Sequence, residues 1–164
     1  MDKSACFTGH RNIRHNAQEL SSLLCKLLDV MIAEKDITDY YVGGAVGFDT
    51  IAAYSILKMQ EKYPKVKLHL ILPCSNEDQT KGWTVEQVSD FEYILGLANS
   101  VEYISNNYYN GCMKKRNARL VELASECCIC YWNTNNNRSG TGQTVRMSMK
   151  KGINVINLYE MLHI

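Results

Sequence analysis

Apolar and polar positions along this 164-residue chain switch repeatedly between two periods. Short apolar runs alternate with stretches in which apolar residues recur every three or four positions. Residues 4–8 form the first run and predict a strand. Over residues 16–35, Leu20, Leu23, Leu24, Leu27, Leu28, Met31 and Ile32 mark one face of a helix. Asp39–Val42 predicts a second strand, and Asp49–Lys62 a helix that stops before Pro64. Val66–Leu72 is a third strand, ended by Pro73. Trp83–Ala98 reads as a helix with Val85, Val88, Phe91, Ile94, Leu95 and Ala98 on one side. Val101–Ile104 is a strand, and Asn110–Glu126 a helix with Leu120, Val121 and Ala124 inward. Residues 127–132, 142–151 and 153–158 complete the chain as strand, helix and strand.

This alternation predicts an α/β fold. The expected architecture is a single Rossmann-like domain over residues 1–164, with a mostly parallel sheet of five to six strands and helices on both faces. Right-handed crossovers place every strand-to-helix turn at the carboxyl edge of such a sheet. Ligands bind outside that edge, where the strand order reverses.

Three of those turns carry glycines and polar groups. Ala5-Cys6-Phe7 runs into Thr8-Gly9-His10-Arg11. Tyr40-Tyr41-Val42 runs into Gly43-Gly44-Ala45-Val46-Gly47-Phe48-Asp49. The strand at 127–132 runs into Arg138-Ser139-Gly140-Thr141-Gly142. A helix that opens after such a turn offers unpaired N–H groups and the positive end of its dipole, which suits a phosphate. Ser139, Gly140, Thr141 and Gly142 are the best cradle of this kind in the chain. Gly43, Gly44 and Gly47 let a ligand approach the backbone closely. Asp49 would repel a phosphate and is better suited to accepting a ribose hydroxyl, or to capping its own helix. Arg11 offers a planar fork for phosphate. His10 adds charge to an anion site if protonated, or acts as a base if neutral. His15, His69 and His163 lack comparable surroundings and are expected to be structural or exposed. Trp83, Tyr108 and Tyr109 fall in loops on the same edge, where they either stack on a base or cover the sheet.

Composition narrows the function classes. Hydrophobic residues make up 46% and charged residues 21%, as in a soluble globular domain. A net charge of +1 argues against a dedicated nucleic-acid binder. The N-terminus shows no secretion signal and no run approaches membrane-spanning length, so a cytoplasmic protein with no membrane partner is expected. Seven cysteines, an odd number, then read as reduced thiols. Cys127, Cys128 and Cys130 alternate across a strand and lack paired zinc spacing, so buried packing is expected and no metal or cofactor. Folds of this kind are often homodimers, and apolar residues late in the chain would allow one.

Taken in order, the three turns resemble the SLOG superfamily, and within it the small YspA/YpsA/YoqJ-like group of bacterial and phage proteins. The resemblance runs from about residue 5 to residue 158. It implies a Rossmann-like domain that binds a nucleotide or nucleotide-derived ligand as a sensor or regulator. Two related groups imply alternatives: the LOG-type phosphoribohydrolases, which cleave a base from a nucleoside monophosphate, and the DprA/Smf group, which binds single-stranded DNA. Met113-Lys114-Lys115-Arg116-Asn117 is similar to a segment of both groups in which an Arg lies beside the ligand phosphate. Arg116, with Asn117 in support, takes that role by resemblance. The LOG-type turn Gly-Thr-x-x-Glu carries a catalytic Glu, and here Thr144 stands at that position. This departure favours a binder over a hydrolase. Asp49 and Glu86 are carboxylates that could substitute, and Asp49 is the better placed.

Overall fold

A computed structural model describes residues 2–162, so His163 lies outside the described residues. Six strands alternate with helices: β1 Lys3–Gly9, α1 Ala17–Lys35, β2 Ile37–Val42, α2 Phe48–Lys62, β3 Lys67–Leu72, α3 Asn76–Gln79, α4 Val85–Leu97, β4 Ser100–Tyr103, α5 Cys112–Leu123, β5 Cys127–Tyr131, α6 Gly140–Lys151 and β6 Asn154–Asn157. A 3-10 turn, Leu158–Met161, follows β6.

All strand pairs are parallel, in the order β4-β3-β2-β1-β5-β6. Side chains alternate across the sheet with period two, so each strand feeds two cores. Phe7, Tyr40, Leu68, Leu70, Ile129 and Tyr131 face the layer of α1, α2 and α4. Cys6, Ile71, Cys128 and Cys130 face α5 and α6, against Leu120, Ala124 and Val145. Cys127 lies on the first face, so the cysteines of β5 divide between the two cores. The chain moves outward from β1 to β4 with helices on one face. It then crosses back to β5 with helices on the other, as right-handed connections require. The order therefore reverses between β1 and β5.

Local chemistry sets the helix ends. Asn16 caps α1 by accepting from the Gln18 and Glu19 N–H groups at 2.9 and 3.0 Å. Thr84 and Gln87 form a reciprocal capping box, which starts α4 at Val85. That start corrects one expectation: Val85 sits at the helix tip and is 89% exposed, not on the inward side with Phe91 and Ile94. The helix expected over Asn110–Glu126 is shorter, because Gly111 and the extended Ala124 bound it. Lys151 donates to the Val121, Glu122 and Ala124 carbonyls at 2.6–2.9 Å and satisfies that helix end. The four-residue α3, all polar, carries no apolar period in the sequence. Ser75 caps it with an N–H bond from Asp78.

Candidate functional site

A cavity of about 300 Å³ opens at the carboxyl edge between β1 and β5. It is lined by Phe7, Thr8, Gly9, His10 and Arg11 from the end of β1, and by Ala45 and Asp49 from the turn into α2. Met113, Arg116, Asn117 and Leu120 of α5, and Ser139, Gly140 and Thr141 at the start of α6, close it. The first turns of α2, α5 and α6 all reach this one space. Three helix N-termini thus present their positive ends to it.

The α6 turn is the open one. Ser139 is its N-cap: the hydroxyl accepts from the Gly142 N–H at 3.0 Å and donates to the Asn136 carbonyl at 2.8 Å. Its hydrogen bonds are thereby used within the turn. Among the described residues, the Gly140 and Thr141 N–H groups have no acceptor. These two donors, rather than the Ser139 hydroxyl, are what the turn offers an anion.

The second glycine turn is closed by the protein itself. Gly43, Gly44 and Gly47 do not line the cavity. Arg116 Nη1 donates to the Gly43 carbonyl, and a Cβ at Gly43 would strike that guanidinium. A Cβ at Gly47, whose φ is +80°, would strike the Arg11 backbone. The Phe48 N–H also bonds the His10 carbonyl at 3.2 Å, which ties the first two turns together. Gly44 packs beside Leu72, and Gly142 against the Asn137 carbonyl and the Trp132 ring.

Two opposite charges face the cavity without pairing directly. Arg116 is buried, with Nε bonded to Asn117 Oδ1 at 2.8 Å. Asp49 is also buried. Its Oδ2 accepts from the Ala45 N–H at 3.1 Å, while its Oδ1 has no partner. Burial pushes the Asp49 carboxyl up to about 6, and the Arg116 charge opposes that rise. Burial likewise pushes the Arg116 pKa down, and Asp49 opposes that shift. Arg11 is exposed at the rim, with Nη2 3.5 Å from Met113 Sδ.

His10 also lines the cavity. Its Nε2 lies 2.9 Å from the Asn133 N–H, a group that can only donate. The ring is therefore neutral with its proton on Nδ1. Burial also lowers its pKa. This removes the base role considered for His10, since its free nitrogen is occupied, and leaves it a donor.

Other candidates fall elsewhere. Thr144 is buried and donates to the Gly140 carbonyl at 2.9 Å. Glu86 is exposed on α4 and does not line the cavity. His15 is buried against Tyr131, with Nδ1 2.6 Å from the phenolic oxygen. Trp83 packs edge-on to Phe91, whereas Tyr108 and Tyr109 are exposed. Ala45 and Met113 were not anticipated as cavity residues, because a small and a flexible apolar side chain carry no chemical signature.

The model of the YspA SLOG family matches residues 6–161. The chain belongs to that family. It is 25% identical to a UPF0398 protein of Bacillus licheniformis over 72% of this chain and 66% of that one. It is 22% identical to the SPbeta prophage-derived protein YoqJ of Bacillus subtilis, over 80% and 81% of the two chains. Among solved structures, DNA processing protein A (DprA) of Streptococcus pneumoniae matches with a TM-score of 0.62. That match has 16% identity and covers 94% of this chain and 49% of DprA. The family member described here thus spans just under two thirds of the Bacillus licheniformis relative and about half of DprA. No helix among the described residues is long and apolar enough to cross a membrane.

Proposed function

We propose that the crevice between β1 and β5 binds a small nucleotide-like ligand, and that the protein acts as a sensor or regulator in the cytoplasm. One observation carries this reading. A single cavity collects the N-termini of α2, α5 and α6, the cations Arg11 and Arg116, and one buried carboxylate with an unpartnered oxygen. The ligand phosphate takes the Gly140 and Thr141 N–H groups, with Arg116 and Arg11 as counter-charges. Asp49 Oδ1 accepts a ligand hydroxyl, which satisfies the orphaned oxygen and matches ribose chemistry. His10 and Asn117 supply further polar contacts.

Of the described carboxylates, Asp49 alone lines the cavity, and Thr144, its hydroxyl bound to its own helix, stands where the LOG-type turn carries its catalytic Glu. That arrangement supports binding without rapid hydrolysis. Thermal shift against nucleoside monophosphates, ADP-ribose and NAD tests the reading, because a ligand that binds only the native state raises the melting temperature. Release of free base in the same incubations would move the assignment to a phosphoribohydrolase. No shift with any nucleotide, but salt-sensitive binding of single-stranded oligonucleotides, would move it to the nucleic-acid binding suggested by the DprA likeness.

A further inference from the structure

A second cluster of reactive groups sits away from the crevice, on the α5/α6 face of the sheet. Asp39 on β2, His69 on β3 and Ser100 on β4 form a continuous chain. His69 Nε2 lies 2.7 Å from Asp39 Oδ1, and His69 Nδ1 lies 2.6 Å from Ser100 Oγ. The register explains the contact. Ser100 is the direct neighbour of His69, and Asp39 lies two residues before Tyr41, its neighbour on the other side. All three side chains therefore share one face of the pleat. Tyr41 stacks on the imidazole with ring centroids 4.7 Å apart and planes 21° apart. Thr38 Oγ1 donates to the other Asp39 oxygen at 3.3 Å. The Asp39 and His69 side chains are only 12% and 14% exposed, whereas Ser100 is exposed.

The proton positions follow from donor and acceptor types. A carboxylate only accepts, so His69 Nε2 carries a hydrogen. In the neutral ring Nδ1 is then an acceptor, and the Ser100 hydroxyl donates to it. Hydroxyl, imidazole and carboxylate are linked in the order that activates a serine nucleophile, with the imidazole held in one orientation.

We propose that Ser100, His69 and Asp39 form a second reactive site, at which the Ser100 hydroxyl takes an acyl group from a small activated ester. Ser100 Oγ bonds to the acyl carbon, and its proton passes to His69 Nδ1. The ester C–O bond breaks, the leaving group departs with its electron pair, and the imidazolium gives its proton to the leaving group or to solvent, which returns His69 to the neutral base. Asp39 is the positioning residue, since its carboxylate holds the imidazolium formed in the step. Water deprotonated by His69 then hydrolyses the acyl-serine to the free acid and restores the hydroxyl. Among the described residues, no helix begins beside Ser100 to supply an oxyanion site. Donors with good leaving groups are therefore the substrates. The acceleration is that of general-base assistance, about 10²–10⁴-fold.

The test uses the intact protein and p-nitrophenyl acetate, with peptide mapping by mass spectrometry. Acetylation at Ser100 is expected, absent in Ser100→Ala and slowed about 100-fold in a folded His69→Gln variant. Asp39→Asn should slow it by about tenfold or more, and ¹⁵N shifts of the ring should report loss of the fixed Nε2–H tautomer. A merely structural Asp39 would leave the rate per folded molecule unchanged, and that result would overturn the relay. Wild-type protein alone also decides: neither an adduct at Ser100 nor p-nitrophenolate release above the buffer rate, or an adduct forming no faster than at the exposed Ser89, overturns the site whether or not the variants fold.

Discussion

The Gly43–Gly47 turn and the Ser139–Gly142 turn look alike as strings of small residues, and the molecule uses them in opposite ways. At Gly43 and Gly47 the space left by a missing side chain is filled by the protein's own Arg116 guanidinium and Arg11 backbone. At Gly140 a Cβ would meet only Asn117 Nδ2 at 3.7 Å, an ordinary contact, and Gly140 and Thr141 line the cavity. A glycine turn at a carboxyl edge can therefore hold a site together or form part of its wall. Here the closed turn fixes the charge that the open turn needs a ligand to meet.

Alanine substitution separates the two roles most sharply. Gly47→Ala combines a φ of +80° with backbone overlap at Arg11, and should cost about 3 kcal/mol or more. Gly140→Ala should stay within about 0.5 kcal/mol in urea denaturation. Equal losses at both positions would erase the distinction.

Asp49→Asn tests what the closed turn carries. The Asp49 carboxyl is raised to about 6 in the folded protein from 3.8. The native state therefore holds its proton more tightly than the unfolded chain between about pH 4 and 6. Stability must fall as pH rises through that window, and by pH 8 the buried carboxylate costs up to about 3 kcal/mol. The Asn variant should match wild type near pH 4 and exceed it near pH 8 by up to that amount, while binding ribonucleotides more weakly. A variant less stable than wild type at pH 8 would show that the carboxylate stabilises the turn rather than waiting for a ligand.

Arg116→Met removes the cation that the closed turn holds. Loss of one charge-assisted contact should weaken nucleotide binding by about 30–100-fold, or about 2–3 kcal/mol, measured by calorimetry. An affinity within about twofold of wild type would place the phosphate elsewhere.

The order of elements was readable because period two and period 3.6 are properties of the sequence itself. The likeness of the turns was readable too, but not their use. Nothing near Gly43 in sequence announces that Arg116, 73 residues away, will occupy the space beside it. The state of His10 depends on an N–H from Asn133, 123 residues distant. Val85 was misplaced because apolar spacing ignores the capping box that puts it at a helix tip. The Asp39-His69-Ser100 chain was invisible for a related reason: its members sit about thirty residues apart, and only strand register joins them.

Ser139→Ala gives the smallest expected effect and refines the reading of the open turn. The hydroxyl caps α6 through Gly142 and holds Asn136, so both of its roles are internal. Removing an N-cap of this kind should cost about 1 kcal/mol of stability. The Gly140 and Thr141 N–H groups come from the backbone and survive the change. Nucleotide affinity, corrected for the fraction folded, should stay within about threefold of wild type, well short of one charge-assisted contact. A loss as large as that of Arg116→Met would return the phosphate contact to the hydroxyl. The open turn would then bind through its side chain rather than through the backbone at the start of α6.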